Sequence, residues 1–170
     1  MNKDITGPAN IPLTESERSK FQIGTSLLRS GTYAQAYRIF NDLSKKPNVS
    51  ILFNLAICHF RSGEYQESAK SLERALQLIP MSPAEKVVDS TYDKLRVVDR
   101  SENDYMAPFD LELPTVLPQY ARECIRRCLV DSYLELRSWD KVRSIAAMIG
   151  EEGFDNVNKA LMIVDSQKGD

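Results

Sequence analysis

The chain has 170 residues, 42% hydrophobic and 27% charged, with a formal net charge of −2. That length suits one domain able to bury a sizeable core. The near-neutral balance offers no basic field for nucleic acid or an anionic membrane, and no apolar run reaches the roughly 18 residues that cross a bilayer.

Residues 1–13 carry Gly7, Pro8 and Pro12 without a period and read as a flexible lead-in. They lack the basic-then-apolar pattern of a secretion signal, which points to a cytoplasmic protein. Thr14-Glu-Ser-Glu17 is a capping box and predicts a helix over 15–29, with Phe21, Ile23, Gly24, Leu27 and Leu28 apolar or small. Gly31 turns the chain into a partner helix over 33–45, which Pro47 ends. Helices near 49–61 and 65–78 repeat the arrangement around Gly63, and Pro80 closes it.

Ser82-Pro-Ala-Glu85 is a second capping box. It predicts a helix over 82–98, with Val88, Tyr92, Leu95 and Val98 on one stripe, that seals the exposed end of the second hairpin. From 99 to 117 the period fails. Asp99, Glu102, Asp104, Asp110 and Glu112 make this insertion acidic, Pro108 and Pro114 break it, and it reads as an irregular solvated loop. Pro118 opens a helix over 118–136. Ser138 is placed to cap a helix over 139–148, which Gly150 stops, and a capping helix follows within 154–166.

The hairpins at 14–47 and 48–80 are one phrase said twice. Gly31 falls on Gly63, Tyr33 on Tyr65, Ala36 on Ser68, Phe40 on Leu72 and Leu43 on Ala75, each 32 residues apart, and Ile23-Gly24 falls on Leu55-Ala56. Small residues at Gly24, Ala36, Ala56 and Ser68 let paired helices approach, and large ones fill the space beside them. This pattern of Gly or Ala, Gly-x-Tyr, Ala, Phe or Leu, Ala and a closing Pro resembles the tetratricopeptide repeat family. The resemblance covers 16–80, and 118–150 reads as a degenerate third unit in which Val130 and Val142 stand at the small positions. It implies an all-α fold: a short solenoid of antiparallel helical hairpins, about seven helices, in a single domain over 14–170.

Chemistry is sparse. The single histidine, His59, lies mid-helix and reads as a packed structural residue. Cys124 and Cys128 share a helix face and Cys58 neighbours His59, but a zinc site needs four convergent ligands and the chain has no Cys-x-x-Cys. An odd count of three cysteines reads as buried free thiols, so no metal or cofactor is expected. No phosphate loop, nucleophile elbow or paired-carboxylate constellation stands out, and the chain reads as non-enzymatic. Arg122, Arg126 and Arg127, with Glu123 interleaved, read as an exposed, ion-paired helix face rather than a nucleic-acid site.

The helix over 49–61 is apolar on two faces. Leu52, Leu55, Ala56 and His59 make the stripe that packs repeats together; Phe53, Ile57 and Phe60 make a second that also needs cover. In the family such a stripe lines the concave face, and the equivalents one unit back are Phe21, Thr25 and Leu28. A groove of Phe21, Thr25, Leu28, Phe53, Ile57 and Phe60 is therefore the expected binding site for a partner peptide or helix, as in a scaffold or adaptor. Two other readings stay open: a secretion-type chaperone for an apolar client segment, and an obligate structural subunit of a larger assembly. The groove could equally be filled from within, by the later helices or by Pro108-Phe-Asp-Leu-Glu-Leu-Pro114 as a tethered pseudo-ligand. Some family members clamp a C-terminal carboxylate with Lys, Asn and Arg on successive helices. Here only Asn54 fits, so Asn54 is assigned a structural hydrogen bond between units.

Overall fold

The computed structural model describes residues 12–79, 103–150 and 153–167; among them lie eight α-helices, one 3₁₀ turn and no strand. The predicted helix over 82–98 lies outside the described residues. The first helix, α1 (Glu15–Arg29), starts at the Thr14 box, where the Glu17 N–H donates to Thr14 Oγ1 at 3.3 Å and the Thr14 N–H donates to the Glu17 carboxylate at 2.7 Å. Gly31, at φ 76°, turns the chain into α2 (Tyr33–Leu43). The same construction follows in α3 (Val49–Arg61), Gly63 at φ 79° and α4 (Tyr65–Leu78). Both turns need the left-handed backbone that glycine adopts without a Cβ clash.

Close packing within the first hairpin depends on Gly24. A Cβ there would stand 3.0 Å from both Ile39 and Phe40, so α1 and α2 approach more closely than any side chain allows. Phe21 meets the same Phe40 edge-on, with ring centroids 5.6 Å apart. Tyr33 fills less space than expected: it is 37% exposed, beneath the Arg61 guanidinium.

The hairpins stack in order. α2 packs on α3, and α4 packs directly on a long helix, α6 (Pro118–Glu135), which pairs with α7 (Trp139–Ile149). The face of α4 is thus covered by α6, and the third hairpin is contiguous with the second in space. Ser68 and Ser132 meet at 3.3 Å across that join, and the Tyr133 hydroxyl donates to Glu73. Val130 and Val142, which replace the small residues of the other units, are completely buried. The start of α7 differs from expectation: Ser138 makes no side-chain cap, and the turn runs instead through Arg137 at φ 54° and the Ser138 N–H donating to Tyr133 O. Gly150, at φ 88°, ends α7, and α8 (Asp155–Ser166) lies against α6 and α7.

The described part of the acidic insertion is ordered rather than a solvated loop. It forms a 3₁₀ turn (Asn103–Met106), an irregular stretch that ends in a turn at 111–112, and a one-turn helix, α5 (Leu113–Val116). Tyr105, Phe109 and Pro114 are buried in it, while Asp110 and Glu112 stay at the surface. Around Phe109 the segment is thus amphipathic without forming a strand.

Candidate interaction groove

The groove is built on α3. Every residue from Val49 to His59 is buried, so this helix has no solvent face over three turns. Its two stripes have different neighbours. His59 lies edge-on to Tyr37 of α2 at 5.4 Å, with Nδ1 hydrogen-bonded to the Glu64 carboxylate at 2.6 Å, which fits the repeat-packing stripe. On the other stripe, the Phe53 ring stacks on Phe109, centroids 3.6 Å apart and planes 10° from parallel.

The insertion is held along α3 by its backbone. Asn54, fully buried, donates from Nδ2 to Phe109 O at 3.0 Å, and the Phe109 N–H donates back to Asn54 Oδ1 at 2.8 Å. One turn earlier Ser50 Oγ donates to Asp110 O at 2.8 Å. Two ion pairs close the rim: Arg29 with Asp110 at 3.0 Å and Arg18 with Glu112 at 3.5 Å. Asn54 therefore bonds the insertion rather than a neighbouring repeat. A polar i, i+4 pair, Ser50 and Asn54, on an otherwise apolar helix was the sequence signal for this contact.

The six expected groove residues divide. Phe53 faces the insertion. Phe21 turns to Phe40 inside its own hairpin, and Phe60, half-buried, meets Tyr65 edge-on at 5.2 Å beside the Gly63 turn. Thr25 is buried with its hydroxyl donated to Phe21 O at 2.9 Å, and Leu28 and Ile57 are buried too.

Arg127 corrects the reading of an exposed arginine face. It is 2% exposed, its guanidinium carbon 3.9 Å from the Tyr105 ring centre and 4.4 Å from that of Phe154. Nε donates to Asn156 Oδ1 at 3.0 Å, and Asn156 Nδ2 reaches Arg127 O at 3.2 Å and Asp131 Oδ1 at 3.0 Å. The Tyr105 hydroxyl donates to the other Asp131 oxygen. Burial raises the Asp131 carboxyl above the usual range, against the hydrogen bonds and the Arg127 charge that lower it. A cation stacked between two rings binds α6, α8 and the insertion together and is not presented to a ligand.

The thiols are inert by position. Burial pushes Cys58 up to about 12, and it raises Cys128, which donates weakly to Tyr105 O at 3.7 Å, with the Asp131 charge adding to the effect. Among the described residues no three His, Cys, Asp or Glu side chains converge as metal ligands, and no helix is long and apolar enough to cross a membrane.

Residues 49–82 match the family model of the tetratricopeptide repeat. No curated protein and no solved structure matches the chain significantly. Repeats of this family generally mediate contacts between proteins. Residues 49–82 are thus the stretch that matches a tetratricopeptide repeat, and within it α3, the Gly63 turn and α4 form the helical hairpin.

Proposed function

We propose that this chain is a non-enzymatic protein–protein interaction module, a cytoplasmic scaffold or adaptor, whose concave groove holds an extended segment of another protein. Phe21, Thr25, Leu28, Phe53, Ile57 and Phe60 are assigned to the groove and its supporting wall. One observation carries the reading: α3 already holds an irregular segment of its own chain, through a ring stack and backbone hydrogen bonds at Asn54 and Ser50. A surface that satisfies the main chain of one segment outside regular secondary structure offers the same donors and acceptors to another.

The test is comparative capture of partners by three forms of the full chain. Arg18→Glu/Arg29→Glu reverses charge at the rim, where both side chains are about half exposed (46% and 54%), and leaves the core alone. Lys70→Glu, on exposed α4 surface, is the control. A partner retained by wild type and control but lost from the rim variant supports the groove; equal capture by all three refutes it.

The secretion-type chaperone is favoured by one finding, the direct packing of α4 on α6, which makes the three hairpins contiguous. That reading requires the chain to keep an apolar client segment soluble on co-expression.

A further inference from the structure

The insertion shows what chemistry the groove selects. Its contacts are of two kinds. The Asn54 and Ser50 hydrogen bonds reach only backbone atoms, so they do not depend on which side chains the bound segment carries. The ring stack of Phe53 on Phe109 and the ion pairs of Arg29 with Asp110 and Arg18 with Glu112 depend on side-chain identity. Selectivity therefore resides in three positions: an aromatic ring, a carboxylate immediately after it, and a second carboxylate two residues later.

The two kinds of anchor differ in how readily they release. Phe109 is 2% exposed, whereas the Asp110 and Glu112 side chains are 71% and 72% exposed. The charged contacts lie at the wet rim, where salt screens them and a competitor reaches them first. The segment is also tethered at both ends, by Tyr105 against Arg127 and by buried Pro114, which gives it a high effective concentration over the groove.

We propose that residues 109–112 are a resident occupant of the groove, and that the protein partner binds by displacing them with a segment of the same chemistry, aromatic–carboxylate–any–carboxylate, in the same turn, which the Leu113 N–H closes on Asp110 O at 3.3 Å. This rests on the interaction reading above and adds to it the partner's recognition pattern and the competition that governs access. The groove is acid-selective because Arg18 and Arg29 are fixed on α1, and aromatic-selective because Phe53 offers a flat ring rather than a deep pocket.

The probe is a fluorescent synthetic peptide spanning residues 105–114, titrated against the full chain and read by anisotropy. Wild type should bind it weakly, because the tethered copy competes. Asp110→Lys/Glu112→Lys repels the resident segment from the arginines through two exposed positions that the core does not use. This chain should bind the peptide at least about 10-fold more tightly than wild type. Phe109→Ala is the second opened variant, and circular dichroism establishes that each is folded. A peptide with alanine at the Phe109 position should lose binding, and 0.5 M salt should weaken the intact peptide.

Failure of both folded variants to bind the peptide more tightly than wild type overturns the proposal. So does concentration-dependent dimerisation of the opened variants in size-exclusion chromatography without peptide binding, which would make a second copy the occupant. Adding free peptide to the capture assay separates the two readings. A partner lost from the rim variant but not displaced by peptide keeps the interaction reading and refutes the recognition pattern; peptide displacement of the partner supports both.

Discussion

Asn54 and Phe109 stand 55 positions apart, yet the side-chain amide of the first closes both backbone hydrogen bonds of the second. The pair joins the apolar helix at the centre of the stack to a segment that composition alone assigns to solvent. Phe109 is buried and lies in no helix or strand, so the pairing of its amide and carbonyl depends on that one side chain.

Asn54→Ala should therefore cost more than an average core truncation of its size. It leaves a buried N–H and a buried C=O unpaired, at about 1–3 kcal/mol each, so a loss of about 2–6 kcal/mol is expected. The urea midpoint should fall with the slope unchanged. A loss under about 0.5 kcal/mol would mean the Phe109 backbone is not held at this site.

Gly24→Ala sets two effects against each other. Alanine favours the helix by about 1 kcal/mol, but its Cβ enters space already taken at 3.0 Å by Ile39 and Phe40. Overpacking costs about 1–3 kcal/mol, so the clash wins and a net loss of about 1 kcal/mol is expected. Thermal unfolding checks the sign; a stabilised variant would show that the helices part at no cost.

Arg127→Met and Arg127→Lys separate the charge from the shape. Methionine keeps volume between Tyr105 and Phe154 but leaves Asp131 without its cation and Asn156 Oδ1 without its donor, for a loss on the order of 3 kcal/mol. Lysine keeps the charge and loses the planar stack, for about 1–2 kcal/mol. Thermal unfolding should rank wild type above lysine above methionine; the reverse order of the variants would make Arg127 a space-filler.

Glu17 supplies a pH signature. Its hydrogen bond with Lys46 at 2.7 Å, and the Thr14 N–H next, hold its carboxyl down at about 2 against a usual 4.5. A depressed carboxylate contributes stability that is present above 4.5 and is lost as pH falls through 2. Glu17→Gln should melt below wild type at pH 7, and the two should converge as pH approaches 2. A constant gap across that range would remove Glu17 from the pH dependence.

Much of the fold was legible because it is written locally. The Thr14 box, the glycines at 31, 63 and 150, and Pro118 mark where helices begin, turn and end: the observed α1, α2, α4 and α6 start at or just past those signals, and Gly150 ends α7. Each signal acts within a few residues of itself, through a cap, a missing Cβ or a missing N–H, and needs nothing from the rest of the chain. The second apolar stripe of α3 was legible for the same reason, since periodicity requires that Phe53 be covered.

What covers Phe53 was legible only as open alternatives: a partner, the later helices or the segment 108–114. The segment 108–114 alternates large and acidic residues, which suits a solvated loop as well as a groove occupant. The choice turns on Asn54, Ser50, Arg29 and Arg18, which are 55 to more than 80 residues away. Arg127 was misread for the same kind of reason: on its own helix it sits among charged residues, and only Tyr105 and Phe154 make its site dry. The sequence by itself determined the repeated hairpin, its turns and the need to bury both faces of α3, because propensity and periodicity are short-range. Only the tertiary structure decided that α6 continues the stack on α4 and that the chain's own segment lies in the groove, because both are pairings between distant surfaces whose complementarity exists only once the helices are packed.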